Sequence, residues 1–143
     1  MTQMIFVNLP VRNLDRSIAF YEAIGAVKDS RFCDGTAAMM RFSEAINVML
    51  LTHARFADFT DRTIVDATTH AQVLNCLSRE SRADVDATVD RAGKAGGRID
   101  PGPKQDLGFM YGRSCADPDG HIWELAWMDV EAALQGTPDT ADA

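Results

Sequence analysis

Two twelve-residue stretches of the chain decide its fold: residues 14–25, LDRSIAFYEAIG, and residues 85–96, VDATVDRAGKAG. In each stretch apolar residues recur every three or four positions and a glycine follows, which is typical of an amphipathic helix with a left-handed C-terminal residue. A constant offset of 71 positions aligns Leu14, Ile18, Tyr21, Ile24 and Gly25 with Val85, Val89, Ala92, Ala95 and Gly96. Five matches at one offset indicate duplication of a single unit.

Short apolar segments surround both helices in a similar order, separated by turn residues such as Asp34-Gly35 and Asp117-Pro-Asp-Gly120. The predicted strands are 4–9, 27–33, 37–42, 46–51, 72–78, 109–115 and 121–128. A Pro/Gly-rich connection at 100–104 follows the second helix. The order predicts an α+β chain with a βαβββ unit in each half.

The composition predicts one globular domain and excludes several classes of partner. The 143 residues are 46% hydrophobic and 24% charged, so the chain can bury a core. A formal net charge of −7 gives no electrostatic reason to approach nucleic acid or an anionic membrane. Three cysteines without C-x-x-C spacing and an N-terminus without a signal-peptide pattern favour a cytoplasmic location.

Three local sequences are similar to those of a known superfamily. They are residues 7–21, VNLPVRNLDRSIAFY, residues 117–125, DPDGHIWEL, and residues 108–113, GFMYGR. The first two resemble the first strand and helix, and the last turn and strand, of the vicinal oxygen chelate superfamily. That superfamily includes glyoxalase I, fosfomycin and bleomycin resistance proteins and extradiol dioxygenases. The third resembles a bacterial branch labelled predicted lactoylglutathione lyase.

The resemblance implies an architecture and a domain organisation. The two βαβββ modules are expected to form an incompletely closed mixed β-barrel around one cavity, with the helices outside. Residues 1–129 then make one glyoxalase-like domain: module one at about 4–52, a linker at 53–70 and module two at about 71–129. Residues 130–143 are expected to be a flexible acidic tail. Proteins of this resemblance usually form two-fold homodimers, and sheet edges need covering, so we expect a homodimer.

The resemblance also implies four positions for ligands to a divalent ion, which in this superfamily polarises two adjacent substrate oxygens. These positions fall on Phe6, near Leu50, near Gln72 and on Glu124. Two of these residues are apolar, the Gln72 amide oxygen is a weak ligand, and Glu124 matches directly. If zinc, nickel, manganese or iron binds, we expect Glu124, Gln72 and His53 to be its ligands.

Strand alternation predicts which way Glu124 points. Residues three apart on a strand face opposite sides, so Glu124 shares a face with Ile122 while His121 lies on the other. Facing the cavity, Glu124 is the candidate catalytic residue. The alternative is a structural carboxylate paired with Arg113 or Arg41.

Candidate ligand-binding residues alternate along the seventh predicted strand. Phe109, Tyr111 and Arg113 share one face of it. If that face lines the cavity, these residues and Phe6 form an aromatic wall with a cationic anchor for an anionic or carbonyl-bearing ligand. If it faces the helix, Arg113 is a buried charge that needs a partner.

Two functions follow from these residues. The favoured one is a metal-free or weakly metal-binding protein that holds a small molecule in its cleft, because two of the four implied ligand positions are apolar. The alternative is a divalent-metal-dependent lyase or isomerase of lactoylglutathione lyase type, with Glu124 as ligand or base.

Overall fold

Four α-helices, one short 3-10 helix and nine strands make up the regular structure of residues 1–136, which are the residues that the computed structural model describes. The helices are α1 (Leu14–Ala23), α2 (His53–Phe56), α3 (Arg82–Lys94) and α4 (Val130–Gly136). The strands are β1 (Ile5–Val11), β2 (Val27–Asp29), β3 (Ala37–Arg41), β4 (Ile46–Thr52), β5 (Asn75–Ser78), β6 (Arg98–Ile99), β7 (Gln105–Asp106), β8 (Met110–Ala116) and β9 (Ile122–Met128). None of the helices within these residues is long and apolar enough to cross a membrane.

Polar caps and glycines fix the ends of the two main helices. The Asn13 side chain accepts a hydrogen bond from the backbone N–H of Arg16, and the Ser81 side chain caps α3 in the same way. Gly25 and Gly96 follow the two helices with φ of +112° and +94°, a conformation that favours glycine. The predicted glycine ends of both helices are therefore confirmed.

The first sheet contains residues of the first half in the order β1-β4-β3-β2, with β1 parallel to β4. Because β1 lies at the edge of this sheet, Pro10 is tolerated within it although it has no N–H to donate. The strand therefore continues through the proline to Val11, whereas the sequence had predicted that it ends at Leu9.

The second sheet has the order β5-β9-β8-β6, with β5 parallel to β9 and with β7 paired to β8. The sequence did not predict β6 and β7, which flank the Pro/Gly-rich connection and contain two residues each. They return the chain to the free side of β8, and the segment between them contacts one face of the second sheet.

The helix-covered faces of the two sheets share one hydrophobic core. The Tyr21 ring of α1 contacts Trp123 of β9, with centroids 5.9 Å apart, and Phe42 at the end of β3 contacts the same tryptophan at 5.6 Å. Buried residues of α3, among them Val85 and Val89, belong to the same core. The other face of each sheet, here called its open face, therefore points away from this core.

The two mixed sheets are present and no closed barrel forms within residues 1–136, which is consistent with the predicted incompletely closed barrel. Helices α1 and α3 both pack into the shared core, and α1 also contacts the second sheet. This contact is made by the tyrosine on α1, whose ring and hydroxyl both meet the second sheet: Tyr21 Oη accepts a hydrogen bond from Trp123 Nε1 at 2.9 Å.

Several element boundaries also differ from the prediction. Strand β2 ends at Asp29 because the Asp29 side chain accepts a hydrogen bond from the backbone N–H of Arg31, which starts a 3-10 turn over Ser30–Phe32. Of the tail predicted to be flexible, residues 130–136 form α4, and residues 137–143 lie outside the described residues.

Candidate functional site

The open face of the second sheet contains a cavity of about 300 Å³. Its wall is mostly apolar and comes from the second half of the chain alone. The lining residues are Leu74, Cys76, Pro101, Gly102, Pro103, Gln105, Met110, Gly112, Arg113, Ser114, Ile122, Glu124, Leu125 and Ala126. A concave, largely apolar surface with a few polar groups is typical of a site for a small organic molecule.

Strand alternation on β9 brings Glu124 into this wall. Trp123 and Leu125 point into the shared core and are at most 2% exposed, so Glu124 points to the open face with Ile122. The sequence predicted this orientation. The register places Cys76 of β5 opposite Glu124.

Ser114 of β8 lies opposite Glu124 on its other side. The Ser114 hydroxyl oxygen accepts a hydrogen bond from the backbone N–H of Gly102 at 3.1 Å, which joins the sheet to the Pro101–Pro103 part of the wall. Cys76, Glu124 and Ser114 thus form one row across three strands, with the carboxylate in the middle, and Gln105 adds a polar side chain from the edge of the wall.

The carboxylate of Glu124 makes no hydrogen bond and no ion pair with any other residue in 1–136. Its charge nonetheless affects Cys76: burial, and secondarily the nearby Glu124 carboxylate, raise the pKa of the Cys76 thiol. The structural alternative, in which Glu124 pairs with an arginine, does not fit. Arg41 lies on the first sheet near Asp29, and Arg113 is engaged by two aspartates.

The predicted ligand-binding residues of the seventh strand lie on the opposite face. Arg113 donates to Asp100 and Asp86, and the Tyr111 hydroxyl donates to Asp86 of α3 at 2.7 Å. Of the two orientations the sequence left open, the structure has the one in which this face meets the helix. Phe109 precedes β8 and does not line the cavity.

The buried guanidinium of Arg113 is paired with two carboxylates, those of Asp86 and Asp100. Hydrogen bonds from Arg113 hold the pKa of Asp100 below its ordinary value, and hydrogen bonds first from Tyr111 and then from Arg113 do the same for Asp86. The Arg113 side chain is only 9% exposed. The guanidinium of Arg113 is therefore paired with two aspartates on the helix side of the sheet.

Phe6 lies on the open face of the first sheet and is 47% exposed. Because the two open faces point away from the shared core in different directions, Phe6 does not reach the Glu124 cavity of its own chain. Of the four candidate ligand-binding residues, Arg113 is among the residues that line the Glu124 cavity, and Phe6, Phe109 and Tyr111 are not.

The three candidate metal ligands lie in three different places. Glu124 lines the cavity described above, Gln72 lines a smaller one beside the linker, and His53 begins α2 and lines a third. Within residues 1–136, no group of three or more His, Cys, Asp and Glu side chains could hold a metal ion. The donors of one chain thus do not fit the catalytic ion that the resemblance implies, since such an ion usually has three protein ligands.

One part of the site was missed at the level of sequence: residues 100–108, here called the wall segment. Asp100 at its start is held by Arg113, and Asp106 is held by Arg82 through hydrogen bonds of 2.8 and 2.9 Å. Arg82 also donates to the carbonyl oxygen of Gly108. The residues between these anchors cover one side of the cavity. The only available signal was the density of proline, glycine and charge in 100–108.

The fold belongs to the α+β class, with two mixed sheets and the Glu124 cavity on the open face of the second. The family model for the Glyoxalase/Bleomycin resistance protein/Dioxygenase superfamily matches residues 3–125. The chain belongs to this superfamily.

Solved structures support the same fold. A hypothetical protein from S. aureus is 24% identical with a TM-score of 0.73, and the match covers 89% of this chain and 94% of that one. The fosfomycin resistance protein FosX from Mesorhizobium loti is 18% identical, with a TM-score of 0.63 and coverage of 94% and 96%. A bleomycin resistance determinant encoded on the transposon Tn5 is 18% identical, with a TM-score of 0.60 and coverage of 90% and 99%. No match was found among curated proteins.

Proposed function

We propose that the protein binds a small organic molecule in the Glu124 cavity and needs no tightly held metal ion to do so. The observation that carries this proposal is the cavity of about 300 Å³, whose apolar wall contains one row of polar groups. The same fold occurs in proteins that confer resistance to bleomycin and fosfomycin, which supports a binding role for this one.

A substitution that fills the cavity tests the proposal. Ala126 lines the cavity, so Ala126→Phe is expected to abolish binding of a neutral apolar probe such as phenylbutanol, measured by calorimetry on the full chain. The matched control is Ala83→Phe, which places the same side chain at an exposed position of α3 and is expected to leave binding unchanged. Equal probe affinity in wild type and Ala126→Phe would contradict the proposal.

The second candidate function is a divalent-metal-dependent lyase or isomerase of lactoylglutathione lyase type, in which Glu124 is the catalytic residue. Membership of a superfamily that includes glyoxalases favours this candidate. It requires donors that meet at one point, whereas Glu124, Gln72 and His53 of one chain lie in separate cavities. Elemental analysis of protein purified without chelators distinguishes the two. Stoichiometric zinc, nickel, manganese or iron would favour the lyase. Under the proposed binding function we expect only trace amounts of these metals.

We further propose that the protein forms a homodimer. The edge strand β1 exposes Ile5 and Phe6, and the residues leading into the edge strand β5 expose Val73 and Leu74; each of these four side chains is between 47% and 61% exposed. Exposed apolar side chains beside unpaired strand edges favour association with another chain. A dimer that uses these edges would bring the open face of one first sheet toward the partner's cavity.

Sedimentation tests this association. We expect a mass near twice 15.7 kDa for the wild type at micromolar concentration. Phe6→Lys is expected to shift the population toward the monomer, because it places a charge in the apolar edge. Phe59→Lys alters a side chain of the linker that is 62% exposed and is expected to have no effect. A wild-type mass of 15.7 kDa alone would contradict the proposal.

A further inference from the structure

The charge balance of the Glu124 cavity is one-sided. Two of its lining residues, Glu124 and Arg113, have side chains that are charged at neutral pH. The Arg113 guanidinium donates to Asp100 and to Asp86, which lie outside the lining, at distances of 2.7 to 3.0 Å. The charge available to a bound molecule is therefore the negative charge of Glu124.

The carboxylate lacks the partner that its surroundings require. Glu124 is half-buried, and neither a hydrogen bond nor an ion pair to its carboxylate exists within residues 1–136. Its neighbours in the wall include Ile122, Met110 and Leu74. A charge that has lost part of its water costs free energy unless a cation or a hydrogen-bond donor meets it, and a less polar surrounding strengthens attraction to a cation.

We propose that the cavity selects a cationic amphiphile: a molecule with an ammonium or amidinium group that meets Glu124 and an apolar body that packs against the apolar part of the wall. This proposal rests on the proposed function, because it assigns a ligand class to the same cavity. The formal net charge of −7 acts in the same direction, since it concentrates cations near the protein. A carboxylate ligand would meet repulsion from Glu124 and find no free arginine in the wall.

A matched series of three probes tests the selection: phenylbutylamine, phenylbutanol and phenylbutyrate, which share an apolar body and differ in charge. We expect calorimetry on the full chain to give an affinity for the amine at least about tenfold higher than for the alcohol, with the carboxylate weakest. Higher salt is expected to weaken binding of the amine and not of the alcohol, because it screens only the ion pair.

Variants connect the preference to one side chain. In Glu124→Gln the preference for the amine over the alcohol is expected to fall to about twofold or less. Glu80→Gln removes an exposed carboxylate that does not line the cavity and is expected to retain the preference. If Glu124→Gln does not fold, Glu124→Ser serves as the second variant, and the same loss of the amine preference is expected.

The outcomes separate the two proposals. If the alcohol binds as tightly as the amine, or the carboxylate binds best, the cationic selection is wrong while the binding function stands. If the amine preference survives in Glu124→Gln, the selection by Glu124 is wrong. If none of the three probes binds to wild type, the proposed function fails and this inference fails with it.

Discussion

Arg113 holds Asp100 through two hydrogen bonds, from Nε to Oδ1 at 3.0 Å and from Nη2 to Oδ2 at 2.7 Å. Among residues 1–136, Asp100 is the only non-glycine residue with a positive φ, at 49°. This conformation is costly for most L-residues, although aspartate tolerates it better than most. The ion pair thus fixes the point at which the chain leaves the second sheet to form the wall segment.

Replacing Arg113 with methionine is expected to destabilise the fold by about 1–3 kcal/mol, because it removes charge-assisted hydrogen bonds to Asp100 and Asp86. The aspartates are partly exposed, at 28% and 50%, so water compensates for part of the loss. Urea unfolding measures the change.

Arg82→Met provides the matched control for that substitution. Arg82 also pairs with an aspartate of the wall segment, Asp106, but both side chains are well exposed, at 39% and 54%. Pairs of this kind contribute about 0–1 kcal/mol. A loss for Arg82→Met equal to or larger than that for Arg113→Met would contradict the assignment of Arg113 as the main anchor.

Acid is expected to loosen the wall segment between about pH 4 and pH 2. The hydrogen bonds from Arg82 lower the pKa of Asp106 from 3.8 to about 2, and the pKa values of Asp100 and Asp86 are also lowered. A lowered pKa in the folded state contributes stability above the unfolded value of 3.8, and this contribution is lost as the pH falls through the folded value. Urea midpoints measured at several pH values should therefore fall in this window.

The control for the acid prediction is Asp106→Asn, which removes one of the titrating groups and should give a shallower decline. Asp117 does not confuse the result. Burial raises the pKa of Asp117 above its ordinary value of 3.8. Protonation of Asp117 therefore stabilises the fold as the pH falls, and this change takes place at pH values above 3.8. A decline as steep in Asp106→Asn as in wild type would show that Arg82 does not hold this carboxylate.

The repeat could be predicted from the sequence because helix formation and helix ends depend on residues close together in the chain. The spacing of apolar residues, the caps Asn13 and Ser81 and the glycines at 25 and 96 each act within a few residues of chain. Strand alternation on β9 is equally local, which is why the orientation of Glu124 could be predicted.

The packing of the two halves could not be predicted from the sequence, because it depends on contacts between residues that are far apart in the chain. Nothing local to Tyr21 indicates that its hydroxyl will meet Asp117 and Trp123, and these contacts join α1 to the second half of the chain. The orientation of Arg113 likewise depends on Asp86 and Asp100, which stand on other elements. The sequence could state the two alternatives for Arg113 but not choose between them.

Tyr21→Phe tests the contact that joins the two halves. The Tyr21 hydroxyl is fully buried, donates to Asp117 at 2.7 Å and accepts from Trp123 at 2.9 Å. Its removal leaves a buried donor and weakens the solvation of a buried carboxyl group, which should cost about 2–4 kcal/mol of unfolding free energy. Tyr111→Phe is the control: it removes a hydroxyl whose acceptor, Asp86, is half-exposed to water, and should cost less than about 1 kcal/mol. Similar losses in both variants would contradict the joining role of Tyr21.

Gly120→Ala tests how the linker is held against the second half. Gly120 has a φ of +100°, and a Cβ built there lies 2.6 Å from the backbone nitrogen of Thr68 and 2.7 Å from the carbonyl carbon of Ala67. Backbone atoms cannot move aside as a flexible side chain can, so alanine both strains its own backbone and displaces the linker. We expect a loss of about 2 kcal/mol or more by urea unfolding, together with faster proteolysis within residues 53–70. Gly35→Ala is the matched control, because a Cβ there meets nothing within 4 Å. If Gly120→Ala unfolds at the same urea concentration as Gly35→Ala, the linker does not depend on this close approach.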